Sequence, residues 1–220
     1  MTELFEINKL INEGFSLITA DKNKRPLGSW KDAQTTATDV ETFKSQFLSK
    51  GSEGVCGLVT GFNDLEVMDV DLKVFSTAQE RREWFKEYID FLDANITNFN
   101  DKFVIYMTKN EGYHILYKSK RVEGNLKVAK LKGHSQQVLE TRGVGGYVVL
   151  YANSYNKRSY LDIDYISDSD REILFAVSRS YNFIDDVIVS VPKKEKNTTP
   201  SIGLTPWDDY NNKVSVLDII

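Results

Sequence analysis

Strand-like segments of this chain are joined by connections too short to contain a helix, and this limits the fold more than any other feature. Gly112–Lys118 follows Lys102–Met107 after four residues, and Gly146–Tyr151 follows Gln137–Thr141 after four. Parallel strands need a crossover of about a dozen residues or more, whereas a short turn joins antiparallel strands. The sequence therefore predicts antiparallel hairpins and an α+β fold, not a doubly wound parallel sheet.

Helices are predicted between these strands wherever apolar spacing and capping residues coincide. The predicted helices are Thr2 to Asn12, Thr38 to Gly51, a third that runs to about Ala94, and Asp168 to about Tyr181. The third is capped either by Ser76 with Gln79 or by Thr77 with Glu80, and its buried face is predicted to be Phe85, Tyr88, Ile89 and Leu92. The second begins with a Thr-x-x-Glu capping box formed by Thr38 and Glu41. Its buried side is predicted to consist of Val40, Phe43, Phe47 and Leu48.

The composition is that of a globular protein. Hydrophobic residues make up 41% of the chain and charged residues 27%, which is enough apolar material for an ordered core. The single cysteine, Cys56, excludes an internal disulfide, and no cysteine or histidine spacing predicts a zinc site. The sequence also shows neither a secretory signal nor a membrane span. We therefore expect a cytoplasmic protein.

Basic residues are concentrated in two places although the net charge is −4. The segment from Lys118 to Lys132 contains six basic residues and one acidic residue, Glu123. The second cluster comprises Lys22, Lys24, Arg25 and Lys31. Such clusters form solvated loops or bind phosphates, and composition alone leaves both interpretations open.

The last thirty residues differ from the rest of the chain. They contain three of the four prolines, Pro192, Pro200 and Pro206, in a polar stretch typical of a linker. An apolar run from Val214 to Ile220 follows, which is typical of the start of another element. The sequence thus predicts a globular domain over residues 1–190, and a linker with the start of a downstream module over 191–220. The alternative is that the tail folds back and its apolar residues fill a groove on the same domain.

The strongest chemical signal is the segment Leu65–Asp71, in which Asp69 and Asp71 end an otherwise apolar strand. Residues two apart in a strand point to the same side of the sheet. Adjacent carboxylates repel each other unless a cation neutralises them, and oxygen ligands suit Mg²⁺ or Mn²⁺. The two acids are therefore either metal ligands or solvent-facing residues at a strand end.

Two further strand-like segments carry polar residues that could join them. His114 lies in the run Tyr113–Tyr117, and Glu140 and Arg142 share one face of the segment that begins at Gln137. The histidine is either a hydrogen-bonded core residue or a ligand. The acid and the arginine form either an ion pair, or a metal ligand beside a phosphate contact.

In this order the motifs resemble those of the archaeo-eukaryotic primase superfamily, and most closely its bifunctional primase-polymerase (prim-pol) branch of phages and plasmids. The motifs that carry the resemblance are Val67-Met68-Asp69-Val70-Asp71, Glu111-Gly112-Tyr113-His114, and Leu139-Glu140 followed by Thr141-Arg142-Gly143. Upstream, Lys24-Arg25-Pro26, Gly28-Ser29-Trp30-Lys31 and Val59-Thr60-Gly61 also match segments of the family. The resemblance covers about residues 10 to 160.

The resemblance implies a fold and an activity. The fold would be an α+β core with an antiparallel or mixed sheet like that of an RNA-recognition motif, packed on a smaller N-terminal α/β unit. The activity would be template-directed nucleotidyl transfer, as DNA primase and DNA polymerase, in the N-terminal part of a replicative primase-helicase. The expected partners are single-stranded DNA, nucleoside triphosphates and a linked C-terminal helicase or accessory module, without a membrane.

The resemblance also assigns roles to residues. Asp69, Asp71 and Glu140 would be catalytic and hold two Mg²⁺ or Mn²⁺ ions, while Gly112, His114 and Arg142 would bind the nucleotide. Gly112 stands where the family commonly has serine, so only its backbone N–H could contact the triphosphate. The expected nucleic-acid contacts are Lys24, Arg25, Arg121, Lys127, Lys130 and Lys132.

Two other functions use the same residues. A metal-dependent nuclease or phosphodiesterase would need the three carboxylates, and a non-catalytic module that binds single-stranded nucleic acid or nucleotides would keep them as remnants. Incubation with Mn²⁺, a primed template and labelled nucleotides separates extension, degradation and mere binding.

Overall fold

A computed structural model describes residues 2–27, 30–49 and 54–183, with side chains from Ile7 onward. The described residues belong to one compact unit. The predicted domain boundary at residue 190 and the predicted linker over 191–220 lie outside them. In the described part of the chain, no helix is long and apolar enough to cross a membrane.

Helices and strands alternate irregularly along the chain. The described helices are α1 (Thr2–Asn12), α2 (Val40–Ser49), α3 (Ala78–Asn95), α4 (Phe99–Lys102) and α5 (Asp168–Ser180). The described strands are β1 (Leu17–Ala20), β2 (Val55–Val59), β3 (Leu65–Val70), β4 (Val104–Met107), β5 (Tyr113–Lys118), β6 (Lys127–Lys130), β7 (Gln137–Arg142) and β8 (Tyr147–Val149). Short 3₁₀ turns lie at Asp32–Gln34, Phe62–Asp64 and Tyr160–Asp162.

These strands form two sheets. The smaller has the order β1-β2-β8, and the larger has the order β4-β5-β3-β7-β6. Every pair of neighbouring strands is antiparallel. The α+β fold expected from the short connections and from the family resemblance is therefore confirmed, with β3 in the centre of the larger sheet.

Two details of the larger sheet differ from the sequence-based expectation. We expected the turn at Gly143–Gly146 to close a hairpin, but β7 pairs with β3 and β6 whereas β8 pairs with β2 in the smaller sheet. The turn thus carries the chain from one sheet to the other. Strand β6 was not expected at all, because its Lys-Val-Ala-Lys sequence has the charge of a solvated loop.

One face of the larger sheet is covered by α3 and α5. Helix α3 begins with the predicted capping box of Thr77 and Glu80, and it buries the predicted face of Phe85, Tyr88, Ile89 and Leu92. These side chains pack on Met68 and Val70 of β3. Because side chains alternate along a strand, the intervening residues of β3 face the other way.

The opposite face of the sheet is covered only in part. Leu65 and Val67 of β3 are fully buried in a second core, with residues of the smaller sheet, α1 and α2. Asp69 and Asp71 follow on the same face. The side chain of Asp69 is 21% exposed and that of Asp71 is 40% exposed, so the cover ends where the carboxylates begin.

Helix α2 starts later than its sequence indicates. Thr38 is not the cap; instead the side chain of Asp39 accepts hydrogen bonds from the backbone N–H and the hydroxyl of Thr42. These hydrogen bonds lower the pKa of Asp39. Phe43 is fully buried as predicted, but Leu48 is 65% exposed. The buried side of this helix is therefore narrower than the set of apolar residues that was predicted to form it.

Candidate active site

A continuous row of side-chain positions crosses the larger sheet at Asp69. Asp69 is paired with His114 of β5 on one side and with Glu140 of β7 on the other. The pairing continues from His114 to Tyr106 of β4 and from Glu140 to Lys127 of β6. Directly opposed residues in neighbouring antiparallel strands place their side chains on the same face. The registers therefore bring the candidate histidine and two of the candidate acids together.

Asp71 and Arg142 add to this row from the same strands. Asp71 directly follows β3, and its N–H still donates to Val138 of β7. Asp69, Asp71, Glu140 and Arg142 all line one polar cavity of about 330 Å³. The other residues that line this cavity are Lys73, Lys127, Ser135, Gln136 and Gln137.

Arg142 connects two of the three carboxylates. Its guanidinium donates to Oδ2 of Asp69 at 3.1 and 3.2 Å and to Oε2 of Glu140 at 2.9 Å. Charge-assisted hydrogen bonds of this kind are short and strong. Of the two interpretations of Glu140 and Arg142, the ion pair is thus present in this structure, and it includes Asp69.

Lys73 is a site residue that the sequence analysis did not identify. Its ammonium lies 2.6 Å from Oδ2 of Asp71, and its backbone N–H donates to Oδ1 of the same carboxylate. Lys73 lies in the turn after β3, where the alternation of a strand no longer applies, so the sequence held no periodic signal for its position.

His114 is buried beside Asp69, and its ring forms no hydrogen bond at Nδ1 with the part of the chain that the structure describes. Its Nε2 lies 3.8 Å from Oδ1 of Asp69, beyond hydrogen-bond distance. Burial lowers the pKa of His114 to about 4, with Lys24 and Arg142 acting in the same direction and Asp69 opposing them. The imidazole is therefore neutral at pH 7.

Lys24 reaches this site from the loop after β1. Its ammonium lies 6.0 Å from the ring centroid of Tyr151, and that ring lies 5.5 Å from the imidazole of His114. The backbone carbonyl of Lys24 accepts a hydrogen bond from the hydroxyl of Tyr147. Lys24 thus adds positive charge next to His114.

Gly112 is required by a close approach of two strands. A Cβ atom at Gly112 would lie 2.4 Å from the carbonyl oxygen of Val70. Its backbone N–H donates to Oγ1 of Thr108 at 3.0 Å. The hydrogen that we expected to contact a triphosphate is therefore engaged within the protein.

The other predicted nucleic-acid contacts are spread over the surface. Lys127 lines the carboxylate cavity, whereas Lys130 lies at the other end of β6 and Lys132 lies over the ring of Phe183. Arg121 pairs with Glu172 of α5, and Arg25 is exposed in the loop after β1. The structure therefore brings Lys24 and Lys127 to the candidate site.

The donor atoms of the cavity suit a divalent cation, but in this structure protein cations engage them. Three carboxylates supply the oxygen ligands that Mg²⁺ and Mn²⁺ prefer. Among the described residues, no group of three or more acidic, histidine or cysteine side chains is arranged to hold a metal ion. Arg142 and Lys73 would have to move from the carboxylates before a metal could bind.

Carboxylates, a neutral histidine and basic side chains on an open sheet face are the groups expected of an enzyme that acts on nucleotide phosphates. A family model agrees with this chemistry. The model described as bifunctional DNA primase/polymerase, N-terminal, matches residues 8–163, which is well over half of the chain. The chain belongs to this family, and the resemblance in its motifs is confirmed. No curated protein matches the chain by sequence.

Proposed function

We propose that this chain is a template-directed nucleotidyltransferase that starts and extends primers on single-stranded DNA. Membership of the primase/polymerase family supports this class of activity. The observation that carries the proposal is the row of His114, Asp69 and Glu140 across three adjacent strands, with Arg142 bridging the two acids. Two acids with a histidine and an arginine beside them suit the transfer of a nucleotide from a triphosphate, in which divalent ions and phosphate-binding residues act together.

Asp69, Asp71 and Glu140 are the proposed ligands of Mg²⁺ or Mn²⁺. Bound divalent ions activate the attacking 3′-hydroxyl and neutralise charge on the phosphates in this type of transfer. The carboxylates hold their positions because β3 and β7 are hydrogen-bonded along their length. Arg142 and Lys73 then become available for phosphate oxygens.

His114, Arg142 and Lys24 are the proposed contacts of the incoming triphosphate. The guanidinium of Arg142 can bind two phosphate oxygens at once, as arginine does in other phosphate sites. The neutral imidazole of His114 can donate one hydrogen bond to a phosphate. Lys24 supplies a further charge close to that imidazole.

Lys127 is the proposed contact of the template or primer backbone nearest the carboxylates. It lies in β6 opposite Glu140 and lines the same cavity. Arg25, Arg121, Lys130 and Lys132 lie further out and do not line this cavity. Phosphate contacts of this kind supply affinity without sequence preference.

A linked helicase or accessory module remains a proposal. It is supported by the proline-rich composition of residues 191–220, and by the family description, which names an N-terminal domain.

The test is an incorporation assay with Mn²⁺, a primed single-stranded template and labelled deoxynucleotides. We expect extension by the native chain and none by an Asp69→Asn, Asp71→Asn variant, in which both amides keep the carboxylate shape. Degradation of the template would instead support a metal-dependent nuclease. Binding without either reaction would support a non-catalytic module, and extension by the double variant would contradict the proposed site.

A further inference from the structure

The turn that joins the two sheets follows directly after Arg142. It consists of residues 143–146 and leads from the end of β7 to the start of β8. The pairing of β7 with β3 ends at Arg142, which lies opposite Val67. The backbone beyond Arg142 therefore depends for its position on contacts outside this pair of strands.

Two polar side chains hold the residue that follows Arg142. The hydroxyl of Thr60 donates to the carbonyl oxygen of Gly143 at 2.7 Å, and Oδ1 of Asn125 accepts the N–H of Gly143 at 3.1 Å. Thr60 directly follows β2 of the smaller sheet, whereas Asn125 lies shortly before β6 of the larger sheet. The backbone groups of Gly143 are thus held from both sheets.

The backbone of Thr60 and Gly61 also fits closely against this turn. The N–H of Thr60 donates to the carbonyl oxygen of Gly146 at 3.0 Å. Gly61 has a positive φ of 77°, and a Cβ atom there would lie 2.4 Å from Cα of Val144. A side chain at residue 61 would therefore push the turn away from Thr60. These contacts give the Val59-Thr60-Gly61 segment a position beside the candidate site.

The hydrogen bond from Thr60 to Gly143 is shielded from solvent. Thr60 is 1% exposed, so water does not compete for its hydroxyl. The carbonyl oxygen of Gly143 also accepts the N–H of Gly146 at 3.0 Å, so it would keep one donor if the hydroxyl were removed. Loss of the hydroxyl should therefore loosen the turn without leaving a buried acceptor unpaired.

The direction of the Arg142 side chain depends on the peptide group that joins it to Gly143. Peptide groups are planar, so the path of the backbone is set by how each plane is oriented. Asn125 holds the plane between Arg142 and Gly143, and Thr60 holds the next plane. A guanidinium that binds two oxygens at once needs a fixed orientation, because both hydrogen bonds must align together.

We propose that Thr60 and Asn125 are positioning residues that orient Arg142 toward the incoming triphosphate. The proposal rests on the proposed function, in which Arg142 is a phosphate contact. Neither Thr60 nor Asn125 lines the carboxylate cavity, so both act through the backbone of the turn. The smaller sheet thereby contributes to nucleotide binding on the larger sheet.

The test measures the KM of the incoming deoxynucleotide in primer extension. Thr60→Val removes the hydroxyl and keeps the shape of the side chain. We expect it to raise KM about fivefold, the effect of one hydrogen bond between uncharged groups, with little change in kcat. Thr60→Ser keeps a hydroxyl and should retain the native KM. Asn125→Ala changes an exposed residue, so it should raise KM whether or not the buried Thr60→Val variant folds well.

Thr19→Val is the matched control. Thr19 is also 1% exposed and lies in β1 of the same smaller sheet, but its hydroxyl has no hydrogen-bond partner among the described residues. This variant should keep the native KM. A second control repeats Thr60→Val in an Arg142→Lys background, because a flexible ammonium does not need a fixed direction. There, Thr60→Val should change KM by less than about twofold.

An unchanged KM in Thr60→Val or in Asn125→Ala would overturn the proposal, and so would equal rises in Thr60→Val and Thr19→Val. A KM in Thr60→Ser as high as that in Thr60→Val would also overturn it. An equally large effect of Thr60→Val in the Arg142→Lys background would show that Thr60 does not act through Arg142. Failure of the native chain to extend a primer would instead contradict the proposed function.

Discussion

Lys73 and Asp71 form an ion pair of 2.6 Å inside the carboxylate cavity. Arg142 holds Asp69 and Glu140 in the same way. Each of the three acids therefore has a protein cation as its partner, which relieves the repulsion that clustered carboxylates would otherwise suffer. A metal ion must compete with these cations for the same oxygens.

We therefore predict that Lys73→Met binds Mn²⁺ more tightly than the native chain in the absence of nucleotide. The expected gain is at most about fivefold, because an exposed ion pair contributes up to about 1 kcal/mol. Isothermal titration with MnCl₂ measures it, and Lys86→Met controls for the loss of an ordinary surface pair, that of Lys86 with Asp90. Unchanged or weaker Mn²⁺ binding in Lys73→Met would show that Lys73 does not compete for Asp71.

Removal of a single carboxylate is predicted to abolish incorporation without weakening the fold. Glu140→Gln keeps the shape of the side chain and deletes a proposed metal ligand, while Arg142 retains Asp69 as a partner. We expect incorporation at background level, and a change below about 1 kcal/mol in the free energy of unfolding. Primer extension and urea denaturation measure the two quantities. If Glu140→Gln also lowered the free energy of unfolding by much more than about 1 kcal/mol, Glu140 would have a structural role.

The alternation of side chains in β3 was sufficient to predict that Asp69 and Asp71 share one face. It could not show which residues of β5 and β7 lie opposite them, because strand register depends on contacts between segments distant in the chain. The motif resemblance supplied that missing information by grouping Asp69, His114 and Glu140. Lys73 was missed because it belongs to none of the three motifs.

Local sequence patterns could not predict strand β6 or the burial of Glu66, for a different reason. The four residues of β6 become a strand by pairing with β7. Glu66 looks like an exposed residue within β3, yet it is fully buried because Arg171 of α5 neutralises it. Both depend on a partner elsewhere in the chain, which no short window of sequence contains.

Breaking the buried ion pair of Glu66 and Arg171 is predicted to lower the free energy of unfolding more than breaking an exposed pair. Arg171 donates to both carboxylate oxygens of Glu66, at 2.7 and 3.0 Å, and Tyr117 donates at 2.9 Å. Arg171→Met leaves a buried charge without its cation, so we expect a loss of about 3–5 kcal/mol in the free energy of unfolding.

The double variant Glu66→Gln, Arg171→Met should recover part of that loss, because the neutral amide can still accept the hydrogen bond from Tyr117. Urea denaturation of the three proteins measures both effects. Arg121→Met is the control: it breaks the exposed pair with Glu172, which should contribute about 1 kcal/mol or less. Equal costs for Arg171→Met and Arg121→Met would contradict the prediction.

Asp170 is predicted to make the fold sensitive to acid. Burial raises its pKa, but hydrogen bonds from Lys102 and Ser167 outweigh burial and leave the pKa below the ordinary value of 3.8. The folded chain therefore favours the ionised form. The resulting stability is complete above the unfolded pKa and is lost as the pH falls through the folded pKa.

Asp170→Asn should lower the free energy of unfolding at pH 7 and flatten its decline between about pH 5 and pH 2. Urea denaturation at a series of pH values gives both curves. Asp168→Asn, an exposed change in the same first turn of α5, is the matched control. Parallel curves of unfolding free energy against pH for Asp170→Asn and the native chain would show that Asp170 does not contribute to the loss of stability in acid.

The last prediction separates two lysines of the basic segment. Lys127 lines the carboxylate cavity, whereas Lys132 lies over the ring of Phe183, away from the row of site residues. If the template passes over the cavity, only Lys127 should contact its phosphates.

Each phosphate contact adds about 0.7 to the slope of log affinity against log salt concentration for single strands. Lys127→Gln should therefore reduce the slope by about 0.7, and Lys132→Gln should leave it unchanged. Fluorescence anisotropy with a labelled oligonucleotide measures the slope. Equal reductions in both variants would mean that Lys132 contacts DNA as well, and an unchanged slope in Lys127→Gln would mean that Lys127 does not contact DNA.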